Sequence, residues 1–288
     1  TNTFLMPHLE PVMGKIITTA CLLTLLGPAL ALGGPESDRA ALRAFYEKRF
    51  PDVPLAAHVD GAYALDAGKR AQWLSMEDFP PYEIAIDDGA DLYDSPLADG
   101  SSYGDCFGED APAIKQHFPR FDPSSGEVIT LEVAINACRV AAGDEPLDYL
   151  GHEMNALAAF IAWESRGAPV AVSVPDDPRA LAAYEDGKAF FYTRRGQLNF
   201  ACSSCHVNMV GNMLRAERLS AAVGHATHWP VYRLKWKEVG PLHRRFMECN
   251  SQVRATPLDP QSESYRNLEY FLTYMANGLE LNGPASRK

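Results

Sequence analysis

His228-Trp229-Pro230-Val231-Tyr232 repeats, 111 residues later, the pattern of His117-Phe118-Pro119-Arg120-Phe121, and these two stretches decide the fold. The same shift lays Glu127-Val128 on Glu238-Val239, Leu131 on Leu242 and Cys138 on Cys249. Pro146-Leu147-Asp148 falls on Pro257-Leu258-Asp259, and Leu157, Phe160 and Gly167 fall on Leu268, Phe271 and Gly278. No gap is needed from His117 to Gly167. Self-similarity of this kind means one structural unit used twice. Each copy ends in a helical pattern: Leu268, Phe271, Leu272 and Met275 recur at i, i+3, i+4 and i+7, and Leu157, Phe160 and Ile161 repeat the stripe. Gly167 and Gly278 stand where a helix C-terminus is capped.

Outward from the repeat, strand signals are few, the best being Glu127 to Val133. Pro169 to Pro178 reads as a linker, after which Asp177 caps a helix running through Tyr184. Residues 51 to 104, rich in Pro, Gly and Asp, read as an irregular lead-in. The expected fold is mainly α, two small domains with long loops, divided as 32–168 and 169–288.

The chain of 288 residues is 47% hydrophobic and 10% aromatic, which excludes collagen, coiled coil and wholesale disorder. A formal net charge of −11 argues against nucleic-acid binding, which needs a basic footprint. Met13-Gly14-Lys15, the apolar run Ile16 to Leu26, and Pro28-Ala29-Leu30-Ala31 together read as a secretory signal, so residues 1–31 are expected to be upstream sequence and signal peptide. The run is too short for a bilayer span, which takes about 20 residues. No membrane span is expected in the mature chain, which should begin near Leu32 in an oxidising compartment.

Six cysteines stand at 21, 106, 138, 202, 205 and 249. Cys21 leaves with the signal, and the remaining odd number cannot all pair. Cys202-Ser203-Ser204-Cys205-His206 is a C-x-x-C-H element, whose reading is covalent attachment of haem c. On one helical turn both thiols reach the two vinyl groups of a porphyrin, and the histidine offers an imidazole nitrogen to the iron. A thioredoxin-like pair would want a βαβ setting, and a zinc site a second Cys or His pair; neither is visible.

For the second axial ligand the candidates are Met209, Met213, Met247, Met275, His225, His228, His243 and Cys249. Cys249 is favoured, because ligation would occupy an otherwise lone thiol; a buried inert thiol or an intermolecular disulfide is the alternative. In the first half, Cys106-Phe107-Gly108-Glu109-Asp110 keeps the first cysteine of the motif but has Glu109 for the second and Asp110 for the histidine. That half could not hold haem, and Cys106 is expected to form a disulfide with Cys138. Arg244, Arg245 and Arg254 flank Cys249, where the first half has Val133, Ala134 and Gly143. They read either as an anion site, since guanidinium groups bind oxyanions through paired donors, or as a solvated basic face.

Phe118-Pro119-Arg120-Phe121-Asp122, Gly126 to Glu132, Ile135-Asn136-Ala137-Cys138-Arg139, Arg195 to Cys202 and Arg244 to Asn250 resemble the SoxA family of the thiosulfate-oxidising Sox system, over essentially the whole mature chain. The resemblance implies tandem cytochrome-c-like domains, here in a single-haem form, and a periplasmic enzyme of the L-cysteine S-thiosulfotransferase type. Such an enzyme joins thiosulfate oxidatively to a cysteine of a SoxYZ-like carrier. It also implies a heterodimer with a SoxX-like cytochrome and electrons leaving to an acceptor cytochrome c. Residue by residue, Cys202 and Cys205 would be the thioether attachments and His206 the proximal ligand. Cys249 would be the distal ligand and the catalytic, persulfide-bearing residue, and Arg245 the holder of the anionic substrate. The rival expectation is an electron-transfer subunit in which Cys249 does no more than ligate iron.

Overall fold

The computed structural model describes residues 33–287; the expected signal segment, with Cys21, lies outside the described residues. The chain is mainly α. Helix α1 (Pro35–Arg49) opens with Pro35 in its first turn beside Glu36 and Asp38 and closes with Lys48 and Arg49, charges that suit the helix dipole at both ends. A 3₁₀ stretch (Leu55–Leu65), α2 (Ala67–Glu77) and α3 (Glu83–Asp94) follow. The sequence reading of 51–104 as irregular is thereby corrected. Its acidic residues and glycines are compatible with helix where tertiary packing supplies the stability that local propensity lacks.

The first copy continues with α4 (Tyr103–Phe107), a hairpin of β1 (Arg120–Asp122) and β2 (Glu127–Ile129), then α5 (Leu131–Ala141) and α6 (His152–Glu164). The β-prone run thus yields a three-residue strand and turns helical at Leu131, where Thr130 accepts the Val133 N–H as N-cap. In the second copy, α7 (Pro178–Tyr192) leads to two short paired strands, β3 (Met213–Leu214) and β4 (Glu217–Arg218). The hairpin β5 (Val231–Arg233) and β6 (Glu238–Gly240) follows, with α8 (Leu242–Gln252), α9 (Glu263–Met275) and β7 (Ala285–Arg287), which pairs parallel to β5. From β1 to α6 every element has its counterpart 111 residues on, from β5 to α9, with identical lengths.

The repeat extends to the helix crossings. A Cβ on Gly89 would lie 2.1 Å from the Ala156 carbonyl oxygen, and one on Gly187 would lie 1.9 Å from that of Asn267. Glycine lets α3 lie directly on α6, and α7 on α9, backbone against backbone. Tyr93 packs on Phe160 with ring centroids 5.3 Å apart, and Phe191 on Phe271 at 5.5 Å. Tyr93, Phe191 and Phe271 are buried, each contributing on the order of 1.5–3 kcal/mol, and Phe160 is half-buried.

Two apolar cores result, one around Leu131, Ile135, Leu157 and Ile161, the other around Tyr184, Phe191, Leu268 and Phe271. Helices α1 and α2, unlike α3, do not join the core that follows them in sequence. Leu42 and Tyr46 of α1 belong to the second core, and α2 packs on β7. Residues assigned in sequence to the first unit therefore help build the second. The stretch after α6 is also pinned rather than free: Val170 N–H bonds the Leu279 carbonyl, and the Asn277 side chain brackets Val172 through 2.9 and 2.7 Å bonds. Among the described residues no helix is long and apolar enough to cross a membrane.

Candidate haem-binding site

A cavity of about 560 Å³ lies in the second half, lined by Cys202, Cys205, His206, Arg245 and Cys249 together with side chains from β5, β7 and the segment Gly61–Tyr63. The approach to the motif is a tight loop. Gly196, at φ +68°, sits where a Cβ would be 2.1 Å from the Val253 carbonyl oxygen, and Leu198 N–H bonds that same carbonyl at 3.2 Å. This ties the loop entering Cys202 to the end of α8, the helix that carries Cys249. Ser204 closes the turn through its hydroxyl, which accepts the Ala201 N–H at 3.1 Å, and Ser204–Asn208 form a π-helical turn.

His206 is oriented from two sides. Its backbone carbonyl accepts the Tyr46 hydroxyl at 2.5 Å, and that hydroxyl also takes the Ala222 N–H at 3.0 Å. Its ring Nδ1 lies 3.0 Å from the Ser220 carbonyl oxygen, an acceptor that requires a proton on Nδ1 and leaves Nε2 with a free lone pair. Burial pushes the imidazole down to about 4, the Ser220 carbonyl opposing, so the ring is neutral at ordinary pH. Burial likewise pushes the Cys202 thiol up to about 12 and raises Cys205, with the nearby Cys249 sulfur adding to both shifts.

On α8, Leu242, Arg245, Phe246 and Cys249 recur at i, i+3, i+4 and i+7, so one helix face turns a guanidinium and a thiol into the cavity. Arg245 is fixed by Glu248 at 3.1 Å. Glu248 in turn accepts from Lys235 Nζ at 2.6 Å and the Trp236 indole at 2.9 Å. Burial would raise the Glu248 carboxyl, but these donors and Arg245 outweigh it and hold it at about 2. The other two flanking arginines do not join. Arg244 bonds Glu238 at 2.6 Å and covers the Trp236 ring, and Arg254 is exposed near Gln197. Of the expected cluster, Arg245 alone lines the cavity.

The ligand candidates separate in the same way. Met209, Met213, Met247, Met275 and His243 are absent from the cavity wall; His243 is buried with Glu269 3.1 Å from its Nε2. His225 and His228 do reach it, but the His225 ring lies edge-on to His206 with centroids 4.1 Å apart, on the same side as the motif. Cys249 comes from the separate helix α8. Two attachment thiols, an imidazole with its Nε2 lone pair free and a further thiol around one cavity are a donor set that fits haem c. Sequence reasoning missed Arg233, Arg287 and Tyr63, which reach the wall through β5, β7 and the N-terminal segment. No local pattern announces a side chain delivered by strand pairing.

In the first half, Cys106 and Cys138 form the expected disulfide, with Cα atoms 6.0 Å apart. Beside it Tyr103 stacks between Tyr93 and Phe107, at centroid distances of 5.8 and 6.3 Å.

Comparison with known proteins decides the family. The chain is 56% identical over 264 residues to the L-cysteine S-thiosulfotransferase subunit SoxA of Allochromatium vinosum, covering 91% of this chain and 93% of that protein. The chain belongs to the SoxA family. Its SoxA relative from Chlorobaculum tepidum is 48% identical over 88% of each chain. The SoxA/TsdA cytochrome c domain family matches residues 88–170, the half without the C-x-x-C-H element. The crystal structure of SoxXA from P. pantotrophus superposes with a TM-score of 0.68 at 31% identity, over 76% of this chain and 84% of that one. As a SoxA-family member the chain is a c-type cytochrome subunit of thiosulfate oxidation.

Proposed function

We propose that this SoxA-family chain is the catalytic cytochrome subunit of an L-cysteine S-thiosulfotransferase. In this reading it has tandem cytochrome-c-like domains and a single haem c, which Cys202 and Cys205 would anchor covalently and His206 and Cys249 would ligate. The observation that carries the proposal is the shared face of α8, which brings Arg245 and Cys249 to the cavity that the C-x-x-C-H turn also lines. Bound haem supplies an electron-accepting centre there.

The chain's own residues divide the remaining work. Arg245, held in place by Glu248, binds the sulfonate end of thiosulfate through its fork of donors. The Cys249 thiolate sulfur bonds to the sulfane sulfur of thiosulfate, and the two electrons released as that S–S bond forms pass one at a time to the acceptor cytochrome c. A carrier-protein thiolate then attacks the same sulfane sulfur and displaces Cys249 as thiolate, so that second step needs no further oxidant. A persulfide on Cys249 would extend the reacting sulfur by one atom. The partners of this reading are a SoxX-like cytochrome in a heterodimer, a SoxYZ-like carrier and an acceptor cytochrome c. The sequence pattern read as an export signal and the Cys106–Cys138 bridge support a periplasmic location.

Arg245→Ala and Cys249→Ala test the assignment. Arg245→Ala is expected to keep its haem and lose about 100-fold in kcat/KM for conjugation, the scale for removing one charge-stabilising donor. Full conjugation by both haem-loaded variants, with carrier protein supplied, would overturn it.

A further inference from the structure

β5 and β7 run parallel with Arg233 directly paired to Arg287. Like charges opposite one another in a ladder repel, and burial removes the water that would screen them. Arg287 is 8% exposed and lines the cavity. Its Nη1 donates to the Ser286 carbonyl at 2.8 Å, while Nη2 is buried with no acceptor. The guanidinium sits over the rings of Tyr63 and Trp73, each centroid 5.3 Å away, and a Cβ on Gly61 would stand 3.7 Å from both Nε and Nη2. It is firmly placed, and placed for something not supplied by the protein.

The acidic groups facing it are committed elsewhere. Asp60 of the 3₁₀ stretch pairs with Arg70 at 2.9 Å. Glu77 of α2 accepts from the Ser286 N–H at 2.9 Å, the Trp73 indole at 2.8 Å and the Tyr82 hydroxyl. His228, ahead of β5, is held neutral by burial and by the charge of Arg287. This wall is therefore cationic towards the cavity. Haem c carries two carboxylates on the edge away from its vinyl-derived thioethers, so elements other than the motif turn must seat them.

We infer that Arg287, with Arg233 beside it, seats a propionate of the haem. The inference rests on the haem reading above, and haem content by pyridine haemochrome is measured first, so that a haem-free protein counts against that reading alone. The haem midpoint potential is then titrated against pH in wild type, Arg287→Gln and Arg287→Lys holoprotein. Wild type and Lys are expected to give flat profiles through the neutral range. In Arg287→Gln the carboxylate loses its cation and titrates in that range. Its potential falls as pH rises, with a slope approaching one proton per electron. If Arg287→Gln is not recovered folded, Arg233→Gln is titrated instead, with the same sign and a shallower slope expected. A haem-loaded Gln variant with a flat, wild-type profile overturns the inference. A raised KM for thiosulfate at unchanged potential also overturns it, and assigns the guanidinium to the substrate anion.

Discussion

The two halves share a backbone and differ in what fills it. Cys138 and Cys249 occupy the same position on α5 and α8, 111 residues apart. One is bonded to Cys106, and the other faces a cavity lined by Cys202, Cys205 and His206. The difference is not confined to the lost motif residues. His117 follows Cys106 by 11 residues, whereas His228 follows Cys202 by 26. The extra segment carries Leu214 to Ser220 and His225, all on the cavity wall. The second half is further enclosed by α1, by the Gly61–Tyr63 segment and by β7, none of which has a counterpart on the first. The first unit is thus held by a cross-link and stacked aromatics. Its twin requires wrapping from both ends of the chain to enclose a cavity that size.

The disulfide gives the largest effect by which this comparison can be broken. Replacing it by Cys106→Ser with Cys138→Ala is expected to cost about 3–4 kcal/mol of stability, the chain-entropy value for a loop of this length. Haem content should be unchanged. Thermal unfolding followed by far-UV circular dichroism and by haem absorbance would check both parts. Simultaneous loss of haem would mean that the halves do not divide their roles as the geometry indicates.

The smallest effect concerns Arg254, whose equivalent is Gly143. Both have left-handed backbones, φ +59° and +90°, ending α8 and α5 in the same way. Glycine adopts this conformation without the strain that arginine bears. Arg254→Gly should therefore stabilise the protein by up to about 1 kcal/mol and leave KM for thiosulfate unaltered. A raised KM would restore Arg254 to the anion site from which its exposure excludes it.

How much of this was legible in the sequence follows from the range of each interaction. The gapless stretch from His117 to Gly167 could be laid on its copy by eye, and with it α6, α9 and the position of Cys249, whereas α5 and α8 carry no stripe that was read as helix. The C-x-x-C-H motif is legible by itself, and the disulfide from Cys106, which keeps its first cysteine, and Cys138, the counterpart of Cys249. Helix α3 escaped because the register changes ahead of the hairpins: Gly89 matches Gly187, and Cys106 matches Cys202, at offsets other than 111. Its glycine, read as a breaker, is the contact point with α6. Arg244 and Arg245 are adjacent in sequence, and it took the helix face to send one to Glu238 and the other to the cavity. Arg287 became visible when a strand near residue 287 paired with one near residue 233.

The central claim is one haem in the second half and a bridge in the first. Mass spectrometry of the unreduced protein, intact and after proteolysis, tests both at once. The expected result is a chain mass plus one haem, the haem on the Cys202–His206 peptide, and the Cys106 and Cys138 peptides joined. Two haems, none, or separate Cys106 and Cys138 peptides would contradict the account.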